Sequence, residues 1–324
     1  MSSAHGVAGA RTARGSHVGH PMASSSRRAL LGAMAANIGI AATKFIVGAF
    51  TASTVMITEA IHSLVDTGNA ALMLLGRRRS KRAADAAHPF GYGLELYFWS
   101  FVVAMVVFGG GGGVSIYKGI RAFSEPHATG ALWLNYTVLA VASLFEGASL
   151  VVGIREFDAY RRELDFKGSR LALIRASKNP AIFMTVLEDT AALVGLAIAA
   201  IGLTLERLTG NLVWDGVASI LIGLVLVAEA ALLAIECREL IIGEAARTPV
   251  IARVKKAIAR HAGTLAVGEA RTLQLGPDAI LVVVDLDLSP AQSVELHQHE
   301  IDALVTELRK EVPAIRDVVF DVAG

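Results

Sequence analysis

With 324 residues, 54% of them hydrophobic and only 18% charged, the chain is too apolar for an ordinary soluble fold. Its 30 basic and 29 acidic residues leave a formal net charge of +1, which gives no sign of a nucleic-acid partner. The single cysteine, Cys237, excludes an intrachain disulfide framework and any thiolate metal cluster built by one chain; it sits in an apolar run as a packed thiol.

Residues 1–28 are rich in Ser, Ala, Gly, Arg and His, contain no acid and show no apolar period. They read as a disordered tail whose composition imitates a mitochondrial address. A bilayer core about 30 Å thick needs roughly 20 apolar residues in helix. Six windows meet or approach that length, at about 29–51, 54–76, 95–121, 131–154, 180–206 and 212–242. Basic residues crowd the second connection (Arg77, Arg78, Arg79, Lys81, Arg82) and the fourth (Arg161, Arg162, Lys167, Arg170, Arg175, Lys178) and are nearly absent from the others. By the positive-inside rule both chain ends are cytoplasmic, consistent with an even number of spans. The Ala-rich composition points to a bacterial inner membrane.

Beyond Glu244 the periods become those of a soluble domain. Pro249–His261 is amphipathic, Thr272–Leu275 and Ile280–Leu288 are strand-like, Val294–Val312 is again amphipathic, and Ile315–Val322 is strand-like. The expected organisation is therefore a tail (1–28), a six-helix transmembrane domain (29–242) and a small cytoplasmic α+β domain (243–324).

Ionisable residues at mid-membrane cost roughly 2.5 to 3.5 kcal/mol each on insertion scales, so each marks a candidate site. The second window places His62 and Asp66 one helical turn apart, on one face, as a two-point grip for a divalent cation of the zinc, iron or manganese type. Glu59 and Asn69 extend the polar stripe. In the fifth window Glu188 and Asp189 are adjacent and so point about 100° apart. One can bind an ion while the other faces a neighbour, a proton path or water; an interhelix bond, to Lys44 for instance, is the structural alternative. Glu146 and Lys44 are read as either interhelix pairs or conduit residues, and Asp215 as a cap or interfacial group. The Gly109–Gly113 run has no strand before it and lies at membrane depth, so it is a packing or hinge feature.

These residues, over nearly the whole chain after 28, resemble the cation diffusion facilitators. The resemblance implies six spans, a ferredoxin-like cytoplasmic domain, a homodimer formed through that domain, and a four-ligand metal site shared by spans two and five. Glu59-Ala-Ile-His62-Ser-Leu-Val-Asp66 looks like the first half of such a site, and Asp189 like the Asp of the second. Thr185 stands where the family's usual His would be, and Leu187-Glu188-Asp189-Thr190-Ala191-Ala192 looks like a divergent branch that includes a mitochondrial zinc transporter; the fourth ligand there is Glu188, Thr185 or water. His88-Pro-Phe-Gly-Tyr-Gly93 matches the family's intracellular loop motif, although Tyr92 stands where metal-holding members have another His. In the soluble domain Asp285, Asp321, His297 and His299 are the available ligand types, and a dimerising role with weak or absent metal binding is favoured.

The implied function is secondary transport of a divalent transition metal, zinc foremost, by alternating access in exchange for protons. The implied partners are the cation, protons and the lipid bilayer, with no tightly bound cofactor. A membrane-embedded metal sensor or scaffold of the same fold is the alternative. An enzyme is not expected: His-Glu-x-x-His, the mark of a metalloprotease, is absent, and so is any nucleotide loop for a primary pump.

Overall fold

The computed structural model describes residues 24–125, 130–261, 266–287 and 294–323. Helices occupy all six apolar windows: α1 (Ser24–Thr51), α2 (Thr54–Ser80), a continuous run of α3 (Glu95–Val106), a π-helical segment (Val107–Gly113) and α4 (Val114–Ser124), then α5 (Leu132–Glu163), the short α6 (Arg170–Ala176), α7 (Pro180–Thr209) and α8 (Val213–Ile242). Among the described residues four helical runs are long and apolar enough to cross a membrane, Glu95–Ser124, Leu132–Glu163, Pro180–Thr209 and Val213–Ile242. α2 has the length, but Glu59, His62, Asp66 and the closing Arg77–Arg79 lower its hydropathy.

Two boundaries differ from expectation. α1 begins at Ser24, inside the segment read as tail; residues 1–23 of that tail lie outside the described residues. α5 runs on to Glu163, nine residues past its apolar window, because Arg155, Glu156, Arg161 and Arg162 are good helix formers that carry the helix on where apolar burial ends.

Glycine sets the closest packing. A Cβ on Gly112 would stand 3.0 Å from the Gly223 carbonyl oxygen, and one on Gly119 2.7 Å from that of Gly216. The seven-residue spacing on both partners lets the third helical run and α8 touch backbone to backbone, so the expectation of a packing feature holds for this glycine run. Its wide π turn replaces the ordinary α ladder where five successive residues lack side chains.

The turn between α1 and α2 is tied to the start of α8. Asp215, buried at the head of α8, accepts hydrogen bonds from Thr54 N (2.8 Å), Val55 N (3.0 Å) and Ser53 Oγ (3.1 Å). It is a cap, as expected, but it satisfies the orphan amides of α2 and not those of its own helix.

The C-terminal domain consists of α9 (Thr248–His261), β1 (Ala266–Gly276), β2 (Ala279–Asp287), α10 (Val294–Glu311) and β3 (Ile315–Ala323). The sheet order is β1-β2-β3, with β1 and β2 antiparallel and β2 and β3 parallel. A parallel pair needs a crossover, and α10 supplies it. Val254 and Ile258 of α9 and Leu304 and Leu308 of α10 bury themselves against Val282 and Val284 of the sheet.

This domain grips the helices directly. Lys178, at the head of α7, forms an ion pair with Glu244, whose carbonyl accepts from Gln274 N at 2.9 Å. In the loop after α2, Gly93 packs against the Leu275 carbonyl, where a side chain would collide. Gly91, at φ +76°, lies beside the Arg316 guanidinium.

Candidate metal site

His62 is 2% exposed, and neither of its ring nitrogens has a hydrogen-bond partner. A buried imidazole left unsatisfied is costly, so another use of its nitrogens is implied. Its Nε2 lies 3.4 Å from Asp66 Oδ2. Two ligands about 2.0 to 2.1 Å from one tetrahedral ion stand about 3.3 Å apart, so the pair has the bite of two donors to a single zinc-like ion. One helical turn along, Asn69 is fully buried and donates from Nδ2 to Glu188 Oε1 on α7 at 3.0 Å, while its own Oδ1 has no partner. Asn69 therefore brings Glu188 to the α2 side of α7.

Asp189 lies on the neighbouring face. It is 8% exposed, and its Oδ2, without a partner, is 3.9 Å from where a Cβ on Gly153 of α5 would stand. Thr185, one turn earlier, also faces Gly153. The structure thus brings together His62 with Asp66, and Asn69 with Glu188, whereas Asp189 and Thr185 line the contact with α5. Among the described residues no three His, Cys, Asp or Glu side chains converge closely enough to enclose an ion.

Glu59 has another engagement. Lys44, buried in α1, places Nζ 3.2 Å from Glu59 Oε2 and 2.9 Å from Ser63 Oγ. Of the two readings of Lys44 the interhelix pair is realised, and its partner is Glu59, not Glu188 or Asp189. The other Glu59 oxygen sits against Gly195 of α7, 2.7 Å from a Cβ built there.

Acids of α8 went unread in the sequence, among them the half-buried Glu229. A lone Glu inside Val-Leu-Val-Ala-Glu229-Ala-Ala-Leu-Leu belongs to no motif; the signal was its cost in the middle of an apolar helix.

His88 lies on the exposed loop after α2. Its amide donates to Asp85 Oδ1 at 2.8 Å, its ring packs 4.2 Å from that of Tyr92, and its Nδ1 is 3.6 Å from Asp85 Oδ1. The Tyr92 hydroxyl, donating to Asp85 at 2.6 Å, and the His88 amide hold the Asp85 carboxyl below its ordinary value. In the C-terminal domain Asp285 and Asp321 share Arg271, at 2.8 and 3.3 Å. His299 lines a groove of about 550 Å³ with Asp302, Thr306 and Lys310, and the side chain of His297 lies outside the described residues.

Residues 30–242 match the family model described as the cation efflux transmembrane domain. The chain belongs to the cation diffusion facilitator family. The chain is 31% identical over 270 residues to the Xenopus laevis protein named proton-coupled zinc antiporter SLC30A9, mitochondrial, covering 82% of this chain and 48% of that one. The human protein of the same name is 30% identical, with 82% and 47% covered. Metal tolerance protein C4 of Arabidopsis thaliana is 30% identical over 271 residues, 83% of this chain and 59% of that protein. This facilitator chain spans about half the length of the relatives it matches. Its family comprises transporters and not enzymes, and the relatives fall in the divergent, mitochondrial-zinc-transporter-like branch.

Proposed function

We propose that the chain is a secondary transporter that carries a divalent transition-metal cation, zinc foremost, across a membrane in exchange for protons. The observation that carries this reading is His62: a buried imidazole whose nitrogens have no hydrogen-bond partner, at zinc-ligand spacing from Asp66, with Glu188 turned to the same helix farther along by Asn69. Metal requires neutral imidazole and ionised carboxylate, so cation and proton compete for the same atoms, which couples their movements in opposite directions. The zinc antiporter name of the vertebrate relatives supports the same cargo and coupling.

In this reading α1 and α2 join the four apolar runs as six spans with both ends cytoplasmic, in a transmembrane domain over 29–242. The segment 243–324 is a ferredoxin-like cytoplasmic domain through which a homodimer forms. The first-choice ligands are His62, Asp66 and Glu188, with Asp189 entering when α7 rotates during alternating access. The proposed location is a bacterial inner membrane.

The test is zinc uptake into proteoliposomes with and without an imposed pH gradient. Uptake should respond to the gradient, and His62→Ala or Asp66→Ala should reduce it by on the order of 100-fold, since even outer partners of a metal ligand are worth 10- to 100-fold. Undiminished uptake by either variant would sink the reading, and binding without flux would make the chain a sensor.

A further inference from the structure

We propose that Asn69 of α2 is a positioning residue of the transport site: it holds no cation itself and acts by fixing the Glu188 carboxylate as the acid that α7 turns to α2. This rests on the metal-transport reading above, in which Glu188 is a ligand, and adds a residue outside the paired His and Asp motif.

The face of α7 is set by packing. Gly195 stands against Glu59 of α2, and Glu188, seven residues earlier, lies on nearly the same stripe of α7. Thr185 and Asp189, on the neighbouring stripe, face Gly153 of α5 instead. Packing alone does not fix the Glu188 carboxylate, which is half-buried at the end of three rotatable bonds. Asn69 fixes it: Nδ2 donates to Oε1 at 3.0 Å, and a carboxylate so held still has its second oxygen for an ion. Asn69 shares its stripe of α2 with His62 and Asp66, seven and three residues earlier. A helix staple alone does not account for this side chain. Asn69 is 0% exposed, yet its Oδ1 has no partner. A buried carboxamide satisfied on one side only stabilises poorly compared with an apolar side chain of its size, so its effect is the placement of Glu188. Carboxylates that bind metal are held by such outer hydrogen bonds, and losing one weakens metal affinity about 10- to 100-fold.

The experiment is a double-mutant cycle on the full chain in detergent, with zinc alone as the probe and calorimetry as the readout: wild type, Asn69→Leu, Glu188→Gln and the two together. Asn69→Leu should weaken zinc binding by about tenfold or more. The double variant should bind within about twofold of Glu188→Gln alone, because Asn69 acts through Glu188. A merely structural loosening would instead weaken binding further on top of Glu188→Gln, and so would direct ligation by Asn69 Oδ1; additive losses therefore overturn the proposal. Zinc binding by Asn69→Leu or by Glu188→Gln within about twofold of wild type overturns it as well. If Asn69→Leu does not elute as folded protein, Asn69→Ala takes its place in the cycle, with the same outcomes. Failure of wild type to transport zinc into proteoliposomes would defeat the broader reading, whereas transport abolished by His62→Ala together with additive losses in the cycle would defeat only this one.

Discussion

Two clusters of charge lie about one turn apart on α2, and they are built differently. Toward the Asp215 end, Lys44 meets Glu59 and Ser63, so a buried cation has two partners and its charge is cancelled. Toward the arginine end, His62 stands by Asp66 and Asn69 holds Glu188, with both His62 nitrogens and Asn69 Oδ1 unpartnered and, among the described residues, no Lys or Arg side chain bonded to either carboxylate. A compensated pair holds helices together, and an uncompensated one waits for a cation. Stability and transport should therefore separate by position along a single helix.

The largest effect should come from breaking the compensated pair. Lys44→Met leaves Glu59 buried without its counter-charge and should cost about 3 to 5 kcal/mol in thermal unfolding in detergent, while Lys44→Met with Glu59→Leu should recover most of that. By contrast, Asp66→Asn should leave the melting temperature unchanged or raised, because it thins a crowd of like charges. Equal destabilisation by Lys44→Met and Asp66→Asn would erase the distinction. A smaller loss, about 1 to 2 kcal/mol, is expected from Asp215→Ala, which strips the first-turn amides of α2 of their acceptor without touching either cluster. Zinc affinity should then stay at the wild-type value, measurable by calorimetry.

The smallest effect lies beyond the far end of α2, at exposed Asp85. Its carboxyl titrates below the ordinary value near 3.9, so its hold on the loop is complete above that pH and is lost as pH falls through the lowered folded value. Hydrogen exchange at the Ala87 and His88 amides should quicken only below about pH 4 in wild type. An Asp85→Asn variant, without the charge, should exchange faster already at neutral pH and show no such acid step.

Much of this was legible in the amino-acid order alone. The apolar windows fell on helices because a run of about 20 apolar residues can satisfy its backbone N–H and C=O groups within lipid only by coiling on itself. His62 and Asp66 were legible because a four-residue spacing fixes a shared face whatever the tertiary arrangement. What escaped depends on how helices are rotated against each other. Glu188 and Asp189 differ by about 100° around one axis, and only the bond from Asn69 decides which turns toward α2. Asp215 was readable as a cap, but that it serves α2 requires knowing which helix end lies beside it. The αββαβ order was visible from periodicity; the parallel pairing of β2 with β3 was not, since periodicity says nothing of strand neighbours.

The paired glycines of the third helical run and α8 carry one more consequence. Where Gly112 meets Gly223 and Gly119 meets Gly216, two backbones lie in contact at two levels, and Val227, Ile220, Ile116 and Phe123 lock onto the bare glycines from the opposite helix. The two helices form a plank. Any change of shape in the bundle should therefore carry this pair as one body, against which α2, α5 and α7 move.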